Sequence, residues 1–236
     1  MQLPTSHRLS PVVLALLCAS AGAFAAPPEP KQGPERTPYW HERTSFFHSF
    51  GRASDVVMLG DSLTDGAEWR EMFPAQLIVN RGIDGDTTEG VLARLDDVLA
   101  IKPKVVFVMI GINDFADASR TSNAVFMTYQ SIVSRLGRGG ARVVVQSTLP
   151  CNEAKGEWKS CAALNSRIRQ LNSQLATLAS VRVRYVDLTP ALAGTSGLHD
   201  DLTYDGVHLN GRGYQLWKNA IARYMPSATQ AHRPPP

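Results

Sequence analysis

A chain of 236 residues with 24 basic and 21 acidic side chains carries a formal charge of only +3, and no run of Lys or Arg interrupts it. That balance excludes an electrostatic nucleic-acid binder, which needs a concentrated basic footprint. Apolar residues make up 44% of the sequence, enough for one domain with a sizeable core, and no repeat of solenoid period is present.

Residues 1–25 hold Arg8 and then an apolar run, Val12 to Leu17, that fades into Ala23-Phe24-Ala25. This pattern predicts a secretory signal peptide cut before Ala26, too short and alanine-rich for a membrane span. A lipid anchor on Cys18 is disfavoured by the bulky Leu17 before it. A periplasmic or secreted protein is expected. Residues 26–38 read as a Pro-rich linker, 39–226 as the folded domain and 227–236 as a disordered tail.

Within the domain, the aromatic-rich segment Tyr39 to Phe50 predicts a helix, and Val56 to Leu59 a strand buried on both faces. A helix or helical turn follows over Thr64 to Phe73, where Trp69 either lines a pocket or packs. Leu77 to Asn80 is a second strand. From Thr87 a helix carries Val91, Leu92, Leu95, Val98 and Leu99 at helical spacing. Val105 to Ile110 reads as the central strand, and Val125, Tyr129, Ile132, Val133 and Leu136 mark a helix stopped at Gly137. Val143 to Gln146 is a fourth strand, Ala163 to Leu178 the clearest helix and Val181 to Val186 a fifth strand. The last helix carries Tyr214, Trp217, Ile221 and Tyr224. Strands alternating with helices imply an α/β sandwich on a parallel sheet.

Gly60-Asp61-Ser62 closes the first strand, where open parallel sheets face a crevice, and makes Ser62 a nucleophile candidate; alone, the tripeptide is better explained as turn chemistry. A serine needs a base and a group to orient it, and Asp205 and His208, three apart in one loop, can supply both. Asn113, after the strongest apolar run, can offer an amide N–H to an oxyanion, and Gly82 a backbone N–H beside it. Thr64 stands where a Gly-x-Ser-x-Gly elbow needs its last glycine, so that nucleophile motif is absent.

The blocks Gly60-Asp61-Ser62-Leu63, Gly82, Gly111-Ile112-Asn113-Asp114 and Asp205-Gly206-Val207-His208 stand in the order and context of the SGNH (GDSL) hydrolase superfamily, which the chain resembles from Tyr39 to Tyr224. The stretch Asn80 to Leu92 resembles the platelet-activating-factor-acetylhydrolase-like branch, with a departure at Asp84, where that branch often has a small residue. The extra carboxylate near the site mouth bears on substrate preference. The resemblance implies a three-layer α/β sandwich with a five-stranded parallel sheet of flavodoxin-like order 2-1-3-4-5. It implies Ser62 as nucleophile, His208 as base, Asp205 as its orienting carboxylate, and an oxyanion hole from Ser62, Gly82 and Asn113. No metal or organic cofactor is implied.

Short acyl esters, O-acetyl on carbohydrate first, are the expected substrates, with lysophospholipid or other small esters second and a non-catalytic envelope- or glycan-binding protein third. The sequence leaves the oligomeric state open. Asp61, Trp69, Ile83, Asp84, Phe115, Leu149 and Val207 are the candidate substrate contacts. In an exported chain, Cys151 and Cys161, ten apart around Trp158, are expected to form a disulfide. His199, Asp200 and Asp201 beside Asp205 and His208 raise a zinc reading that lacks the helical His spacing, and Asp84 with Asp86 raises a calcium reading that fails because Glu89 stands where the loop needs Gly.

Overall fold

The computed structural model describes residues 36–155 and 161–227. The expected leader, most of the linker, the tail and Trp158 lie outside the described residues. The fold pivots on β1 (Val56–Gly60), whose five residues are all buried. The chain adds β2 (Ile78–Gly82) on one side of β1, then β3 (Val105–Met109) on the other, and continues outward through β4 (Arg142–Gln146) and β5 (Val183–Val186). All pairings are parallel, in the order β2-β1-β3-β4-β5. The strand order reverses between β1 and β3, the point at which parallel sheets open a crevice beyond their carboxyl ends.

Alternation along the strands divides the core. Val57, Leu59, Val106, Val108, Val143 and Val145 face one layer, with Val91, Leu95, Tyr129, Ile132, Leu136, Ile168 and Leu171. Val56, Met58, Val105, Phe107 and Val144 face the other, with Leu63, Trp69, Trp217 and Ile221. Period-2 alternation on strands and 3.6-residue spacing on helices thus meet at the same two interfaces. Each fully buried Leu, Val or Phe contributes about 1.5–3 kcal/mol of transfer free energy.

The first layer uses α4 (Thr88–Ala93), α5 (Leu95–Ala100), α6 (Ser122–Arg138) and α7 (Cys161–Ala176). The other uses α2 (Ser62–Asp65), α3 (Trp69–Met72), α8 (Thr189–Leu192) and α9 (Gly211–Ile221). In front of β1, α1 (Pro38–Phe50) starts with Thr37 Oγ1 accepting the Trp40 N–H and Pro38 in its first turn, and buries Phe47. Two expected helices are each divided. Thr64 to Phe73 becomes α2 and α3, and the Thr87 helix breaks at Arg94, whose guanidinium turns inward to Asp86 and the Gly60 carbonyl. Among the described residues no helix is long and apolar enough to cross a membrane.

Candidate active site

Ser62 opens α2, a helix of four residues whose carbonyls would all be orphaned. Each has a partner: Ser62 O accepts from Gly66 N at 2.9 Å and Leu63 O from Tyr214 Oη at 2.9 Å. Thr64 O accepts from Trp69 Nε1, and Asp65 O from Asn80 Nδ2, both at 2.9 Å. At the other end Asp61 caps the helix, accepting the Leu63 N–H at 3.1 Å. Asp61 is 1% exposed, and burial pushes its carboxyl up to about 8, against the Leu63 hydrogen bond and with the help of nearby Asp86 and Asp114.

The structure brings the serine, histidine and aspartate together. Ser62 Oγ lies 2.9 Å from His208 Nε2, and His208 Nδ1 lies 2.6 Å from Asp205 Oδ2. The second carboxylate oxygen accepts the backbone N–H groups of Val207 at 2.9 Å and His208 at 2.7 Å. Desolvation raises the Asp205 carboxyl, but these hydrogen bonds outweigh it and hold it below the usual carboxylate range. An ionised Asp205 accepts the Nδ1 proton, so His208 presents the unprotonated Nε2 to the Ser62 hydroxyl.

Asn113 begins a 3-10 turn after β3, and its Nδ2 donates to the Asp86 carbonyl at 3.0 Å. That leaves the second amide hydrogen for a ligand. Ser62 N, at the first helical position, has no intrahelical partner.

Gly82 is a correction. Its N–H does not face the crevice but donates to Asn80 Oδ1 at 2.8 Å, and a Cβ there would run into the Asp65 backbone. Gly82 is a close-packing glycine that lets α2 rest on β2. Three residues on, Asp86 N donates to Ile83 O at 3.1 Å around Asp84 and Gly85, with Gly85 at φ 71°. A turn with positive φ at its third position directs the N–H of that residue outside its own hydrogen bond. The Gly85 N–H is thereby left outside the turn's own hydrogen bond, one residue before the Asp86 carbonyl that Asn113 holds. The Gly-Asp pair at 85–86 was a sequence signal for it, masked by the glycine three residues earlier.

The apolar substrate candidates are also corrected. Ile83 (0% exposed), Phe115 (2%), Leu149 (1%) and Val207 (3%) are core residues and present no wall to a ligand. Trp69 is equally buried, edge-on to Trp217 with centroids 5.1 Å apart, and its N–H donates to Thr64 O in the Ser62 turn. Asp61 is the cap just described. Of that set, Asp84 alone is exposed. A groove of about 780 Å³ runs along the β2 edge between Phe46, Phe50, Arg70 and Leu77, but none of Ser62, Asp205 or His208 lines it.

A polar network unread in the sequence holds the Asn113 side. Asp86 pairs with Arg94 at 2.8 Å, and Asp86 Oδ1 accepts from Trp40 Nε1 at 3.1 Å and Thr87 N at 2.9 Å. Next to Asn113, Asp114 accepts from Thr88 N at 2.9 Å, Thr88 Oγ1 at 2.5 Å and Arg120 at 3.0 Å. Cys151 and Cys161 are joined as a disulfide. Asp201 pairs with Arg212 and Asp200 with Lys155, while His199 lies exposed after the β6–β7 pair (Ala193–Gly194 and Gly197–Leu198). Among the described residues no three His, Cys, Asp or Glu side chains are grouped to hold a metal ion.

Residues 58–216 match the GDSL-like lipase/acylhydrolase family. The platelet-activating factor acetylhydrolase IB subunit alpha1 of Rattus norvegicus is 31% identical over 205 residues, covering 80% of this chain and 84% of that protein. The alpha2 subunit of Bos taurus is 32% identical over 171 residues, covering 68% and 71%. A GDSL-like lipase from Bacteroides thetaiotaomicron superposes with a TM-score of 0.70 at 23% identity, over 80% of this chain and 98% of that one. An acetyl-xylooligosaccharide esterase variant from Geobacillus gives 0.57 at 20% identity, over 78% and 99%.

Proposed function

From the premise that the chain belongs to the GDSL-like lipase/acylhydrolase family and is an ester hydrolase, we propose that it cleaves short acyl esters, O-acetyl groups on carbohydrate first among them, through an acyl-enzyme on Ser62. In this reading His208 Nε2 takes the Ser62 proton as Oγ attacks the carbonyl carbon, and Asp205 stabilises the imidazolium that forms. The oxyanion is received by the N–H groups of Ser62 and Gly85 and the free amide hydrogen of Asn113. His208 then protonates the departing alcohol, and water, activated by the same nitrogen, releases the acid and restores Ser62.

The observation that carries the short-acyl reading is the burial of Ile83, Phe115, Leu149 and Val207. A long acyl chain needs apolar surface to lie against, and these side chains offer none. Acetyl as the acyl group is supported by the acetylhydrolase relatives, and a carbohydrate alcohol by the acetyl-xylooligosaccharide esterase that shares the fold. The relatives' name also favours a second reading, an acetylated phospholipid. Acetate release from acetylated xylooligosaccharides and from a 2-acetyl phospholipid separates the two. A higher kcat/KM on the glycan supports the first reading, and a higher value on the phospholipid replaces it. We further propose export, on the leader-like sequence of residues 1–25 and the Cys151–Cys161 disulfide, a bond that oxidising compartments preserve.

A further inference from the structure

Ser62 rides on the sheet, but Asp205 and His208 lie in a loop outside it, and something must fix that loop against the nucleophile to hold the 2.9 Å contact. The segment Cys151 to Lys155 runs directly behind it. This strap is tied to α7 by the disulfide to Cys161, by Cys151 N to Asn165 Oδ1 at 2.9 Å, and by Asn165 Nδ2 to Cys151 O at 2.8 Å and to Glu153 Oε1 at 3.3 Å.

From the strap, Asn152 N donates to Gly206 O at 2.7 Å, between Asp205 and His208, and Asn152 Nδ2 to Leu198 O at 2.7 Å. Asn152 Oδ1 accepts from Ala154 N and Lys155 N, a turn that sets the lysine stem toward the loop. Lys155 Nζ then meets Thr203 O at 2.7 Å, Asp200 O at 2.9 Å and the Asp200 carboxylate at 3.3 Å, three acceptors for three ammonium donors. Thr203 passes the grip onward. Its hydroxyl oxygen accepts from Gly206 N at 2.9 Å and donates to His208 O at 2.7 Å.

We infer that Lys155, on its disulfide-tethered strap, is a positioning residue that holds the Asp205–His208 loop in register with Ser62. The inference rests on the triad reading above. Releasing the grip leaves substrate binding at Ser62 and Asn113 intact but lets the imidazole drift, and a displacement of about 1 Å costs up to ~100-fold in rate.

The test is Lys155→Met with p-nitrophenyl acetate, the working sites being counted by endpoint titration with a fluorophosphonate that labels the active serine. Turnover per titrated site is expected to fall ~10-fold with KM changed by less than about twofold, and Cys151→Ala/Cys161→Ala to fall in the same direction. A merely structural role would lower the number of titratable sites and leave turnover per site unchanged. That result, in either variant, overturns the inference. If the wild-type protein is not labelled at Ser62, the triad reading fails and this inference fails with it.

Discussion

Two carboxyl groups, Asp61 next to Ser62 in the chain and Asp205 against His208, are pushed in opposite directions. Asp61 is sealed beneath α2, and burial pushes its carboxyl up to about 8, toward the neutral form. Asp205 sits at the partly open end, where hydrogen bonds from His208 and two backbone N–H groups overcome desolvation and keep it ionised. Environment, not residue type, assigns one to structure and the other to the base. The same contrast runs through their surroundings. The nucleophile turn is clamped carbonyl by carbonyl from β2, α3 and α9, whereas the base loop depends on its own Thr203 and on a strap from elsewhere in the chain.

The largest expected effects come from removing the reacting groups at either end. Ser62→Ala or His208→Ala should lower kcat by ~10⁶-fold, and Asp205→Asn, which keeps the shape but offers the wrong tautomer, by ~10⁴-fold, in single-site kinetics of folded protein. A rate for Asp205→Asn equal to wild type would mean that the contrast between the two carboxyls has no catalytic content. Next comes the oxyanion side. Asn113→Ala should lose ~10²- to 10³-fold in kcat, about 3–4 kcal/mol, with little change in KM. Near-full turnover by a folded variant would remove Asn113 from the mechanism.

Tyr214→Phe sharpens the comparison at the nucleophile end, because it takes away only the donor to Leu63 O. Stability measured by urea unfolding should fall by ~1 kcal/mol. The gentlest test is pH-dependent. With a folded-state pKa raised from 3.8 to about 8, Asp61 keeps a proton that the unfolded chain releases, so its stabilising contribution is complete below 3.8 and is lost as pH rises toward 8. Asp61→Asn retains the acceptor for Leu63 N and should gain on wild type in that window. Asp205, depressed when folded, has the opposite sign: its contribution is present above the ordinary carboxylate range and is lost as pH falls. Parallel curves for wild type and Asp61→Asn would show that Asp61 is ionised.

Much of this arrangement was legible because it depends on local pattern. Short apolar or alternating segments mark all five strands, and Ser62, Asn113, Asp205 and His208 stand at strand ends or in one short loop. What was not legible depends on partners distant in sequence. Gly82 and Gly85 look alike in the sequence, and only the hydrogen bond from Gly82 N to the Asn80 side chain turns one of them away from the crevice. The Thr87 helix keeps its apolar period through Arg94, but a buried ion pair with Asp86 accompanies the break there. Ile83 and Val207 adjoin motif residues, Phe115 stands two beyond Asn113 and Leu149 lies after the end of β4, and all four side chains are buried in the core by partners distant in sequence. Lys155 carries no motif at all.

The central claim, a Ser62-dependent esterase whose buried Ile83, Phe115, Leu149 and Val207 offer no wall to a long acyl chain, is tested most directly by the acyl-length series. Release of p-nitrophenol from acetyl, butyryl, octanoyl and palmitoyl esters would be measured on purified protein beside Ser62→Ala. The account predicts activity that falls steeply beyond acetyl and disappears in the variant. Activity that persists to palmitoyl, or that survives the loss of Ser62, would contradict it.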